Sequence, residues 1–177
     1  MKNILVLNGS PRKKGNTSIL CEHLIKSIGQ NIEQVFLYDY NIKPCRDCRA
    51  CKKDDLVCVI KDDMQILYNK IDQADFLIIG TPVYWFGPTA TTKQVLDRFR
   101  PYFVNKKLNG KKAVLFLPAG SGAGDCDLTV EMFKRSFNAL GVELIDVVTS
   151  ESYDKGDALN DKVALSHIEI LATAIMN

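Results

Sequence analysis

Cys45, Cys48, Cys51 and Cys58 follow the spacing C-x2-C-x2-C-x6-C. Two-residue gaps bring several sulfurs into one small volume, which a soft metal or an iron–sulfur cluster can use. Upstream, residues 8–17 read NGSPRKKGNT and form a phosphate loop between a strand and a helix. The N–H groups that open a helix point outward and carry partial positive charge. Ser10, Asn16, Thr17 and Ser18 add short donors, and Arg12 adds a fixed cation suited to phosphate. Gly9 and Gly15 have no glycine between them, so the dinucleotide fingerprint is not present. The triphosphate loop does not fit either, because the spacing is one residue longer and Asn16 stands where its lysine belongs. A terminal monophosphate fits better. The same residue types also build ordinary turns. Together, a phosphate cradle and a thiolate cluster suggest a redox protein holding a phosphorylated organic cofactor.

Two further loops carry chemical information. Residues 81–88, TPVYWFGP, contain the one tryptophan of the chain beside two other aromatics. Three adjacent aromatics cannot all face inward, so they offer a flat surface to a ligand or partner, or pack over the sheet. Residues 118–124, PAGSGAG, are almost free of side chains. A planar ligand can lie against such backbone, and a mobile loop has the same composition.

Alternating strands and helices must position these loops. Strands are expected at residues 3–7, 34–38, 76–79, 113–117 and 142–148. Helices are expected at residues 17–28, from Asp62 or Asp63 past Ile71, at 89–103, from Asp125 or Asp127 to Gly141, and at 158–175. Apolar runs without alternation indicate strands covered on both faces, hence a parallel α/β sheet. The natural candidate is a flavodoxin-like three-layer sandwich with strand order 2-1-3-4-5. In that fold all three loops leave one sheet edge and can share a pocket.

At 177 residues and a formal charge of +2, the chain reads as a single domain, 1–177, with a cysteine-rich insertion at about 43–61. That charge gives no footprint for nucleic acid or a membrane surface. No apolar run has transmembrane length, and the first one is too short for a signal-peptide core. A cytoplasmic location follows as the expectation, and there thiols stay reduced and available for ligation. Cys21 is expected in the core and Cys126 as a buried cap. His23 and His167 have no companion ligand or nucleophile.

The phosphate loop, the run Thr81-Pro82-Val83-Tyr84-Trp85, and Lys93 with Asp97-Arg98 resemble the NADPH-dependent FMN reductase family of flavodoxin-like proteins, over residues 1 to about 125. The compact cysteine motif followed by Ile60-Lys61-Asp62-Asp63-Met64 is similar to its iron–sulfur flavoprotein branch. The resemblance implies FMN, with Ser10, Arg12, Asn16, Thr17 and Ser18 on its phosphate. It places Pro82, Val83, Tyr84, Trp85 and Phe86 along the isoalloxazine and Ala119, Gly120 and Ser121 near the pyrimidine edge. It also implies a homodimer or homotetramer, and a structural role for Asp97-Arg98. It assigns no catalytic side chain.

For the four cysteines the readings are a [4Fe–4S] cluster, a closed zinc site, and unligated thiols. The triple C-x2 spacing tilts toward the cluster, since zinc more often uses two separate knuckles. Three functions follow. One is a flavin oxidoreductase passing electrons from NAD(P)H to a quinone, flavin or similar acceptor. Another is an electron-transfer carrier that works with ferredoxin. The last is a zinc-stabilised binding module without enzymatic activity.

Overall fold

The computed structural model describes residues 2–29, 32–53 and 55–176. Asp54, inside the cysteine segment, lies outside them. Five parallel strands form the central sheet: β1 (Ile4–Asn8), β2 (Glu33–Phe36), β3 (Phe76–Gly80), β6 (Lys112–Ala119) and β7 (Glu143–Glu151). Their order is β2-β1-β3-β6-β7, the flavodoxin-like 2-1-3-4-5 arrangement expected from the sequence.

Alternation along β1 explains the three layers. Ile4 and Val6 face one side, where α1 (Asn16–Ile28) and α6 (Lys162–Met176) contribute Leu20, Leu24, Ile168 and Leu171. Leu5 and Leu7 face the other, against Met64 and Leu67 of α2 (Met64–Gln73), Val95 of α3 (Ala90–Asp97), Tyr102 of α4 (Arg100–Asn105) and Phe133 of α5 (Asp127–Leu140). Both faces of the pleat are therefore apolar, which is why the strands read as unbroken hydrophobic runs. Glycine ends two of the helices. Gly29 (φ 67°) returns its N–H to Ile25 O at 3.1 Å after α1, and Gly141 (φ 74°) closes α5.

Four elements differ from the sequence expectation, the first being the last helix, expected over residues 158–175, which begins only at Lys162 after a separate 3-10 turn at Asp157–Leu159. The helix expected over residues 89–103 is two helices, α3 and α4. Pro101 has no N–H for the Asp97 carbonyl and its ring would clash there, so the chain begins a new helix with Pro101 in the first turn. The second strand stops at Phe36 and tightens into a 3-10 turn, Leu37–Asp39. The aromatic loop contains a hairpin of β4 (Val83–Tyr84) and β5 (Gly87–Pro88).

Candidate active site

The loop after β1 is shaped by its own polar groups. Gly9 N–H donates to Gly80 O at 2.7 Å, and Thr89 Oγ1 donates to Gly9 O at 2.7 Å, which fastens the loop to β3 and α3. A Cβ on Gly9 would overlap Thr92 Oγ1, so only glycine fits. Ser10 N–H donates to Asn8 Oδ1 at 3.0 Å, and Arg12 N–H donates to Ser10 Oγ at 3.1 Å. Asn8 Nδ2 donates to Ser18 Oγ at 3.0 Å. Ser10 and Ser18 thus hold the loop, and Ser18 sits buried behind it.

Gly15 precedes α1 and gives the helix no side-chain cap, and no acidic residue occupies its first turn. Thr17 Oγ1 is buried without any hydrogen-bond partner. A native chain rarely leaves such a hydroxyl unpaired, because the lost hydration costs about 1–3 kcal/mol. An uncapped helix start beside an unpaired buried hydroxyl is a site made for an anion.

The cleft at this point spans about 770 Å³ including its mouth. Ser10, Arg12, Asn16 and Thr17 line it from the first loop, Pro82, Val83 and Tyr84 from the second, and Ala119 and Gly120 from the third. These nine of the expected cofactor-binding residues come together. Ser18, Trp85, Phe86 and Ser121 do not reach the cleft wall. The Ser121 N–H is committed to Asp125 Oδ2 at 3.1 Å. The third loop is braced from beneath by Cys126, whose thiol donates to Gly122 O at 3.3 Å. Burial, then the carboxylates of Asp125 and Asp127, push that thiol up to about 11, so it stays protonated.

A fourth wall is new: Ser152, Tyr153 and Lys155 after β7. Asn16 holds it in place. Its Nδ2 donates to Asp154 O at 2.8 Å, and its Oδ1 accepts from Gly156 N–H at 2.8 Å. The Asn16 side chain therefore clips two loops together. Gly120 lies under Tyr153, where an added Cβ would come within 3.2 Å of the ring. The signal for this wall in the sequence was faint, since a polar turn after the last strand looks like any surface loop.

Trp85 (φ 51°) and Phe86 (φ 62°) form the two-residue tip of the β4–β5 hairpin, both left-handed. Such tips favour Asn-Gly, and each L-residue there costs roughly 1–2 kcal/mol. Trp85 is 96% exposed, so little burial offsets that strain. Replacing the pair by Asn and Gly should raise the thermal midpoint by several degrees, corresponding to ~1–3 kcal/mol. A lower midpoint in calorimetry would show that the aromatics hold the hairpin.

The cysteine segment is a loop closed at its neck. Asp62 accepts from Lys43 N–H at 2.8 Å, and Asp63 from Asn41 N–H at 2.7 Å. Arg98 clamps the same point, with Nη1 donating to Lys43 O at 2.8 Å and to Asp62 Oδ2 at 2.6 Å. Asp97 instead pairs with Lys93 at the surface, so the structural partner of Arg98 is Asp62.

Cys45, Cys48, Cys51 and Cys58 all line one hollow beside Arg98 and Arg100. Its enclosed part is about 20 Å³, and about 320 Å³ with the mouth included, and Cys45 and Cys48 are exposed. The Ala50 N–H lowers the Cys48 thiol against some burial, aided by Arg46. Burial raises Cys51, reinforced by Cys58 and opposed by Arg100. Among the described residues no three Cys, His or acidic side chains converge closely enough to hold a metal ion. Tetrahedral zinc needs four ligands around one point, about 2.3 Å from each sulfur.

Comparison with known proteins agrees with this arrangement. The family model for NADPH-dependent FMN reductase matches residues 2–151. The chain belongs to the NADPH-dependent FMN reductase family. An iron–sulfur flavoprotein of Methanocaldococcus jannaschii is 31% identical over 137 residues, covering 76% of this chain and 70% of that protein. YwqN of Bacillus subtilis, an NAD(P)H-dependent FMN-containing oxidoreductase by name, is 31% identical over 171 residues and 92% of each chain. The chain spans about half the length of some of the other archaeal iron–sulfur flavoproteins it matches, 48% for one from Archaeoglobus fulgidus. Among solved structures, the Trp repressor binding protein of B. subtilis superposes with a TM-score of 0.74 at 26% identity, covering 95% of this chain and 96% of that one. Membership of the FMN reductase family makes the chain a flavin oxidoreductase. Among the described residues no helix is long and apolar enough to cross a membrane.

Proposed function

We propose that the chain binds FMN in the four-loop cleft and passes electrons from NAD(P)H to a quinone, flavin or similar acceptor. The observation that carries this reading is the unpaired Thr17 hydroxyl at the uncapped start of α1. The residues present fit the cofactor. Thr17, the first N–H groups of α1, and Arg12 would hold the phosphate, with Lys155 as a second cation at the same cleft. Pro82, Val83 and Tyr84 and the bare backbone at Ala119 and Gly120 would flank the ring. When bound, FMN itself supplies hydride acceptance at N5. The protein's share is to position the ring and exclude water from it, which asks no acid or base of these loops. Exposed Trp85, Phe86 and Tyr153 would be covered in a homodimer or homotetramer. A cytoplasmic location and one FMN-binding domain over the whole chain belong to the same reading.

The shared hollow supports a [4Fe–4S] cluster on Cys45, Cys48, Cys51 and Cys58, and that favours a second reading as a carrier exchanging electrons with ferredoxin. Anaerobic purification with visible spectroscopy and iron, sulfide and zinc analysis tests both cofactors. Flavin reduction by NADPH or NADH supports the enzyme; reduction by ferredoxin alone supports the carrier. Material that stays colourless after reconstitution defeats both. Cys48→Ser is expected to abolish the iron signal and leave FMN bound, and retained iron would reject that ligand.

A further inference from the structure

Three buried hydroxyls join the first two loops of the cleft. Thr81, Thr89 and Thr92 are at most 3% exposed. Thr89 Oγ1 donates to Gly9 O at 2.7 Å and shares a 2.9 Å hydrogen bond with Thr92 Oγ1. Thr92 Oγ1 reaches Thr81 Oγ1 at 3.3 Å, and Thr81 Oγ1 donates to Pro82 O at 3.1 Å. Valine would fill each place with nearly the same shape and no polar group to satisfy, so the hydroxyls are not needed for packing. The end of this chain decides where a backbone donor points. A trans peptide sets its C=O and N–H on opposite sides. Pro82 O turns inward to the buried Thr81 hydroxyl, so the N–H of Val83 turns outward, to the cleft that Pro82 and Val83 line. The β4–β5 hairpin does not consume it. Val83 faces Pro88, which has no N–H, so this is the pair of the ladder that exchanges no hydrogen bonds, and the Val83 N–H points away from β5. No other acceptor takes it among the described residues.

We propose that Thr81, Thr89 and Thr92 are positioning residues for the flavin. Their hydroxyl chain pins the Pro82 carbonyl so that the Val83 N–H stands in the cleft as a donor to the edge of the ring. Through Gly9 the same chain ties that donor to the phosphate loop, so the two ends of the cofactor are gripped by one connected unit. This rests on the FMN reading above. The threonines touch neither cofactor nor substrate and act only through the Val83 peptide. Thr81 Oγ1 also accepts from Thr89 N–H at 3.1 Å, which fixes the hydroxyl at the start of α3.

The test follows amide hydrogen exchange at Val83 by NMR in the full chain, with and without FMN, while flavin fluorescence reports binding. In the unaltered chain FMN should slow exchange at Val83 about tenfold or more, because the open donor gains an acceptor. Thr81→Ser keeps the hydroxyl and should keep that slowing. Thr81→Val should cut it below about twofold with FMN still bound, because nothing then holds the Pro82–Val83 peptide in place. Thr92→Val is the second variant. It leaves Thr89 N–H its acceptor on Thr81 and Thr92 N–H its acceptor on Thr89, so the fold should survive. There the slowing should shrink about threefold. Full slowing in Thr92→Val or in a folded Thr81→Val, even with a lower thermal midpoint, means that the threonines only stabilise the fold and overturns their positioning role. Loss of the slowing in Thr81→Ser overturns it as well. Bound FMN without slowing at Val83 in the unaltered chain overturns the donor and leaves the FMN reading standing. An unaltered chain that binds no FMN overturns the FMN reading itself, and this inference with it.

Discussion

Asp62→Ala is expected to remove about 3–5 kcal/mol of folding stability, because it leaves the buried Arg98 charge without its partner. Both side chains are 1% exposed, and the pair is bidentate, at 2.6 Å and 3.1 Å. The same carboxylate also accepts from Met64 N–H at 3.1 Å at the start of α2 and from Lys43 N–H at the neck of the cysteine loop. Removing it therefore frees the first turn of a helix and both ends of a loop at once. Asp62→Asn keeps the shape and should lose less. Burial raises the Asp62 carboxyl, but the Arg98 hydrogen bond, the Lys43 N–H and the Arg98 charge outweigh it and hold it below the usual carboxylate range. A lowered folded-state value means the contribution is complete above the unfolded value, about 3.9, and is lost as pH falls through the lower folded value. Urea unfolding at neutral pH measures the loss. A change under about 1 kcal/mol would show that the pair is no better than its replacement by water.

Thr17→Val should act in opposite directions on the two states of the protein. Without FMN it removes a buried hydroxyl that has no partner, so the chain should gain about 1 kcal/mol. With FMN it removes a donor to a charged phosphate, so affinity should fall about tenfold or more, since such bonds are worth roughly 1.5–3 kcal/mol. Arg12→Ala should weaken FMN to a similar extent, without the gain in stability, because Arg12 is exposed at the cleft. Thermal unfolding of the FMN-free protein and a fluorescence titration separate the two effects. A destabilised Thr17→Val with unchanged affinity would mean that the hydroxyl packs rather than binds.

The layers of the fold were legible because buried strands such as Phe76–Gly80 and stripes such as Leu20, Leu24 and Ile28 follow simple periodicities. The cleft was legible where backbone needs dictate residue type, as at Gly9 and Gly15. What escaped the sequence depends on long-range pairing. Asn16 looks like a phosphate ligand, yet its amide meets residues 154–158, nearly the whole chain away, and so builds the Tyr153–Lys155 wall. Ser18 looks like another ligand, but Asn8 engages its hydroxyl from behind. The Trp85-Phe86 turn was invisible because its residues are poor ones for left-handed backbone, and composition pointed elsewhere. Arg98 gave no sign of Asp62, which lies 36 residues away, because the adjacent Asp97 is the closer acidic candidate.

The most direct test of the phosphate site compares FMN with riboflavin, which differs only by that group. Flavin fluorescence titrated with the purified chain should show FMN bound at least about 100-fold more tightly, the equivalent of ~2.7 kcal/mol assigned to the start of α1. The preference should shrink in Arg12→Ala and in Thr17→Val. Equal affinities for the two flavins would contradict the account, because the cleft would then be holding the ring with no part played by the phosphate.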